Sequence, residues 1–274
     1  MTSLRFALNH MVAPQKSAEA FFELARHLGI KAVEIRNDLA GNAIIDGTPA
    51  KRIRDIAASA EISILSINAL QRFNEWSSER EKEARELVSY ARNCGAAALV
   101  LVPVNDGSGR GDGERQANLR RALKELLPIL ADAGIVGLVE PLGFAICSLR
   151  SKREAVEAIA DIGADSTFRL VHDTFHHHLA GEPEFFADRT GLVHISGVTD
   201  AKVPVADMLD AHRVLVDEND RLGNIEQVKT LVSHGYRGFF SFEPFAATVH
   251  SLDDPRLALM ASLSHITGAS NGAR

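Results

Sequence analysis

The feature that most constrains this chain is an alternation of two hydrophobic periods. Short runs that are apolar at nearly every position are separated by longer segments with a helical period. Ala98-Leu-Val-Leu-Val-Pro-Val104 is one such run, and a strand reads this way when both of its faces are buried, as in a parallel sheet. Comparable runs place strands near Arg5–Asn9, Ala32–Arg36, Ser63–Asn68, Ala98–Val104, Val136–Glu140, Phe168–Asp173, Leu192–Ser196 and Phe239–Glu243. Between them, Ser17–Leu28 carries apolar residues at Ala20, Phe21, Leu24, Ala25 and Leu28, one face of a 3.6-residue helix. Ser78–Asn93 and Glu114–Ala133 repeat the pattern. Ser151–Ile162 opens with Ser151 and Glu154 at capping-box spacing. Gly29, Gly95, Gly134, Gly163 and Gly235 each fall between a helical segment and the next strand, where a left-handed residue ends a helix. Eight strand–helix units without a break predict an α/β fold of one class, a single closed (β/α)8, or TIM, barrel, with a short helix in the sixth unit.

The 274 residues match the roughly 250 of a one-domain barrel. The barrel is expected over residues 1–267, with 268–274, small and polar, as a flexible tail. The net charge of −6 and scattered Lys and Arg argue against a nucleic-acid partner. No apolar run is long enough for a membrane span, and Met1–Pro14 lacks the core of a signal peptide. Cys94 and Cys147 are too few for a disulfide framework, so a reducing, cytoplasmic setting is expected. The reading leaves room for a homo-oligomer.

In a closed βα barrel the chemistry sits where the strands end. Four consecutive runs end in polar residues that bind metals: Glu140 after Val136-Gly-Leu-Val, Asp173 after Phe168-Arg-Leu-Val-His, His194 in Leu192-Val-His-Ile-Ser, and Glu243 after Phe239-Phe-Ser-Phe. Three carboxylates meeting in an apolar rim repel one another and resist ionisation, and a divalent cation relieves both problems. Three oxygens and one imidazole suit Mn²⁺, Mg²⁺, Co²⁺ or Zn²⁺. Other strand ends offer candidates for the pocket: Asn9 and His10, Glu34 and Arg36, Asn68, and Asn105 with Asp106. Phe73 and Trp76 are expected to form an apolar wall, and Gly107–Gly113 a flexible rim loop. About 27 residues, Gly197–Gly223, separate the seventh strand from its helix, long enough for a functional lid.

Ordered this way, Glu140, Asp173, His194 and Glu243 resemble the metal ligands of the xylose isomerase-like superfamily, which follow strands five to eight. The resemblance runs from Leu4 to about His265. Asp173-Thr-Phe-His176 is similar to the superfamily's Asp-x-x-His, and Asp210-Ala-His-Arg213-Val to the Asp-x-x-Arg-Val of 2-keto-myo-inositol isomerases. Val33-Glu34-Ile-Arg36-Asn-Asp38 resembles the second-strand region of that subgroup. The Pro-Gly that usually follows Arg-Val-x is replaced here by Val216-Asp217. The resemblance implies one divalent ion on those four residues and isomerisation of a polyol ketone, an inosose, through an enediolate. Glu140 and Glu243 would be the catalytic pair that moves the proton, with His176, Arg213 and Asn68 binding substrate. Ketose 3-epimerisation or hydroxypyruvate isomerisation is the alternative. Endonuclease IV-type hydrolysis fits poorly, because the early strands lack extra His ligands and the charge is negative. A non-catalytic sugar-binding barrel is the remaining reading.

Overall fold

The computed structural model describes residues 4–42, 44 and 46–271. Eight parallel strands close into a barrel in chain order. They are β1 (Arg5–Asn9), β2 (Ala32–Arg36), β3 (Ser63–Gln71), β4 (Ala98–Val102), β5 (Val136–Val139), β6 (Phe168–Asp173), β7 (Thr190–Ile195) and β8 (Phe239–Phe242). The helices are α1 (Ala18–His27), α2 (Ala50–Ala60), α3 (Ser78–Cys94), α4 (Glu114–Ala133), α5 (Lys152–Asp161), α6 (Thr174–Ala180), α7 (Asn224–Ser233), α8 (Ala247–His250) and α9 (Arg256–Asn271). The last strand pairs with the first, Leu8 opposite Phe242, so no strand edge stays open.

Because side chains alternate across a strand, each strand has an inner and an outer set. The outer set packs with the helices into the main core, which includes Phe21, Phe22, Ile67, Leu99, Leu123 and Phe240. The inner set fills the barrel with a smaller cluster of Ala98, Val100, Leu138, Val171 and Leu192. Following that inner face towards the strand ends, Leu138 is succeeded by Glu140, Val171 by Asp173 and Leu192 by His194. A packed apolar floor therefore gives way to a polar rim within two residues.

Helix starts follow the sequence signals. Ser17 and Ser77 cap α1 and α3 through their hydroxyls. Ser151 Oγ accepts the Glu154 N–H, but the expected reciprocal half of the capping box is not made. Glu154 turns instead to Arg115, at 2.6 Å. The five glycines all adopt positive φ, between 64° and 94°. Residues 268–271, expected in a flexible tail, continue α9, and the rest of that tail lies outside the described residues. Among the described residues no helix is long and apolar enough to cross a membrane. The Gly197–Gly223 segment makes two short 3₁₀ turns, Val205–Asp207 and Asp210–His212. It returns to the barrel mouth through paired hydrogen bonds between Gly197 and Val214, 2.7 and 2.8 Å.

Candidate metal centre

Glu140, Asp173, His194 and Glu243 converge where β5 to β8 end. One ligand atom from each lies within 4.8 Å of the others, and all four residues are buried. His194 Nδ1 lies 2.9 Å from Glu140 Oε1, 3.2 Å from Glu243 Oε2 and 3.9 Å from Asp173 Oδ2. The opposite ring nitrogen, Nε2, donates to Glu34 Oε2 at 3.1 Å. Glu34 thus fixes the ring so that Nδ1 faces the three carboxylates. Glu34 is itself held from below, by the Ser241 hydroxyl at 2.5 Å, the Ser66 hydroxyl at 2.6 Å and the Asn68 amide at 2.8 Å.

Two arginines flank the cluster. Arg213, 1% exposed, comes from the long β7–α7 segment, and its Nη2 donates to Asp173 Oδ2 (2.6 Å) and Glu243 Oε2 (3.0 Å). Its Nε and Nη1 reach Ser196 and Asp210. Its carbonyl accepts the Phe245 and Ala246 amides, which ties the segment to the end of β8. Arg36 donates to Glu243 Oε1 at 2.8 Å and makes a two-bond fork with Asp38. Asn9 also donates to Glu243 Oε1, at 3.1 Å.

This wiring sets the proton affinities. Burial alone raises a carboxyl's pKa. For Glu243 that effect is outweighed by His194, Arg213 and Arg36, and the group is held well below the usual range. Glu140 has no guanidinium beside it, and burial leaves it raised despite His194. For His194 burial opposes protonation, but Glu243, Glu34 and Glu140 together drive its pKa well above the ordinary value. A buried point faced by three carboxylates favours positive charge. Four buried donors, three of them carboxylates, fit a divalent ion, and these residues would hold it.

The cluster opens into a cavity of about 350 Å³ whose lining includes Asn68, His176 and Arg213. The structure therefore brings those three residues to the same place as the four ligand candidates. Asn68 does so with its amide nitrogen committed to Glu34. His176 Nδ1 has no hydrogen-bond partner among the described residues. Three expectations fail. Phe73 is fully buried in the main core and Trp76 packs against it. The apolar wall is instead Leu142, Phe144 and Phe245, two of them in loops just beyond the Pro that follows Glu140 and Glu243. The Gly107–Gly113 loop lines a separate cleft rather than this mouth. His10 also turns away, stacked on Phe21. His172 lies outside the barrel, bonded to Lys152 and Gln227. The residue whose importance sequence reasoning underrated is Glu34. Its signal is an acid at an inner position of the otherwise apolar Ala32-Val-Glu-Ile.

A closed βα barrel with a buried carboxylate–histidine cluster at the C-terminal ends of its strands defines the class of protein. The chain belongs to the xylose isomerase-like TIM barrel family, whose model matches residues 22–267. It is similar to a xylose isomerase domain-containing protein from Salmonella typhimurium LT2, with 35% identity over 97% of this chain and 98% of that one, and a TM-score of 0.90. It shares its fold with the IolI protein, solved with a zinc atom bound (18% identity, 98% and 100% covered, TM-score 0.85). The same holds for D-psicose 3-epimerase from Clostridium cellulolyticum H10 (14%, 96% and 99%, TM-score 0.68). No curated protein matches the chain significantly.

Proposed function

We propose that this protein is a divalent-metal-dependent isomerase of a polyol ketone, with 2-keto-myo-inositol as its substrate. The observation that carries the reading is the convergence of Glu140, Asp173, His194 and Glu243 within 4.8 Å. The family contains isomerases and epimerases, and fold neighbours include a zinc-bound IolI and sugar 3-epimerases. When bound, the divalent ion supplies a Lewis acid for the substrate's carbonyl and adjacent hydroxyl. Glu140, whose carboxylate bonds among the described residues only to His194, takes the proton from the carbon beside the carbonyl. Glu243, clamped on both oxygens by arginines, stays ionised and fixes the geometry opposite; Glu140 returns its proton to the former carbonyl carbon while the proton of the adjacent hydroxyl passes to the former carbonyl oxygen. Arg213 keeps one Nη1–H for a substrate oxygen, and His176 serves a second.

Ketose 3-epimerisation is the second reading. It is favoured by the placement of the two glutamates three strands apart, on β5 and β8, since epimerisation handles both faces of one carbon. The free, buried Cys94 and Cys147 fit the cytoplasmic setting proposed.

The test is deuterium incorporation, read by mass spectrometry, when the Mg²⁺- or Mn²⁺-loaded protein meets 2-keto-myo-inositol or ketoses in deuterated water. Wild type should exchange the proton beside the carbonyl. Glu140→Gln should exchange it about 100-fold or more slowly, and Asp173→Ala should lose bound metal by elemental analysis. Metal-loaded wild type that exchanges no substrate proton sinks the catalytic reading in favour of a sugar-binding barrel.

A further inference from the structure

Strand β2 supplies no ligand candidate, yet its inner face holds two of them. Glu34 orients His194. Two residues further along the same face, Arg36 is 5% exposed. Its Nη1 donates to Glu243 Oε1 at 2.8 Å and to Asn9 Oδ1 at 3.2 Å. Asn9 Nδ2 donates to the same Glu243 oxygen, at 3.1 Å. The Asn9 amide is fixed in that sense, because its own oxygen also accepts the Met11 N–H at 3.0 Å. The fork from Arg36 to Asp38, 2.8 Å on both bonds, fixes the plane of the guanidinium.

A carboxylate oxygen accepts along two lone-pair directions. On Glu243 Oε1, Arg36 and Asn9 fill both. On Oε2, Arg213 Nη2 takes one, which leaves one on the oxygen that lies 3.2 Å from His194 Nδ1. Asp173 is arranged alike. Its Oδ1 accepts the Phe175 and His176 amides at the start of α6, at 2.8 and 3.1 Å, and its Oδ2 shares Arg213 Nη2. Glu140 is the exception. Among the described residues its carboxylate is bonded only through Oε1, to His194, and Oε2 is uncommitted.

We infer that Arg36 is a positioning residue which, together with Asn9, confines Glu243 to binding the divalent ion through one oxygen. The start of α6 confines Asp173 in the same way, and Glu140 alone is free to bind through both oxygens or to release one. Each oxygen withheld leaves a position on the ion for substrate. This rests on the metal-centre reading above.

Two experiments test it, both without substrate. A crystal structure of the Mn²⁺-loaded wild type should keep Glu243 Oε1 on Arg36 and Asn9 and place Oε2 alone on the ion. Both Glu243 oxygens on the ion overturns the inference. The second experiment uses Arg36→Met combined with Asp38→Asn, which removes one charge of each sign and so leaves the net charge of the site unaltered. With Oε1 released to the ion, the double variant should bind Mn²⁺ about threefold or more tightly by calorimetry. The visible absorption of its Co²⁺ form should weaken, as it does when cobalt gains a ligand. Loss of a merely structural arginine would weaken Mn²⁺ binding instead. Equal or weaker Mn²⁺ affinity, or an unchanged cobalt intensity, overturns the role of Arg36. Should the double variant not fold, the wild-type crystal structure decides. Failure of the isomerase reading is distinguishable: the ion would bind as stated while deuterium exchange is absent.

Discussion

Glu34 is 0% exposed, a carboxylate inside the barrel and out of contact with bulk solvent. It persists there because donors surround it: the His194 ring, two serine hydroxyls and the Asn68 amide. Such a group acts on a bound ion through the imidazole it orients. Glu34→Gln keeps the shape but replaces a charge that favours Nε2–H donation with a neutral amide. Metal affinity by calorimetry should fall about 10- to 100-fold, and the visible spectrum of the Co²⁺-loaded protein should shift as the ring loosens. Equal affinity and an identical spectrum would show that Glu34 only fills space. Arg213 makes a parallel case. Lys cannot reproduce a fork that reaches Asp173, Glu243, Asp210 and Ser196 together. Arg213→Lys should slow substrate exchange by at least about tenfold, measured at saturating substrate. At this scale the four ligand candidates were legible because each interrupts an apolar run at its last inner position. Glu34 and Ser241 were harder to read, because one residue deeper in the barrel a polar side chain carries no local mark of its partners. Phe144 and Phe245 were missed because loop aromatics give no periodicity to read.

Among the elements, the packing of α5 against β6 and α6 has a consequence for pH. Lys152, the first residue of α5, is 4% exposed and places Nζ 3.1 Å from His172 Nδ1 and 2.9 Å from His177 Nδ1. Burial pushes Lys152 down to about 8. Burial, helped by the Lys152 charge, pushes His177 down to about 3 and His172 well below its ordinary value. His10, buried against Phe21, is lowered to about 4. An imidazole whose folded pKa lies below its unfolded one takes up a proton only on unfolding. The unfolded state therefore gains protons as pH falls below about 6.5, and folding stability drops through the window down to about 4. At pH 5 each such histidine costs about 2 kcal/mol relative to pH 7. The urea midpoint should fall accordingly, and His177→Asn should flatten the slope by close to one proton. Identical slopes in the two proteins would contradict this wiring. Element types were readable because short runs apolar at nearly every position stand apart from longer segments with a 3.6-residue period. Boundaries were not always readable. Glu154 looked like half of a cap but had a better partner in Arg115, and the small residues 268–271 fit one more turn of α9.

For the whole molecule, the fold and the candidate site are one object. The proposed ligands come from the ends of β5, β6, β7 and β8, and residues that support them from β1, β2 and β3. Drawing three buried carboxylates together costs stability that a divalent ion should return. Adding Mn²⁺ at about 1,000 times its Kd should stabilise the fold by about 4 kcal/mol, seen as a rise in melting temperature reversed by EDTA. Asp173→Ala should abolish that rise. A melting temperature indifferent to Mn²⁺ would mean that no ion binds the folded state more tightly than the unfolded.

The hydrogen bond from Asn9 to Glu243 spans 234 positions of the chain. During synthesis the amino-terminal strand leaves the ribosome long before its partner exists, and three of the four proposed ligands emerge ahead of Glu243. Any ion captured by that partial set would be held on an unclosed sheet, without the acid that completes it. Loading with metal is therefore expected as a late, post-translational event, and a nascent chain arrested before Phe239 should emerge from a metal-buffered translation extract empty.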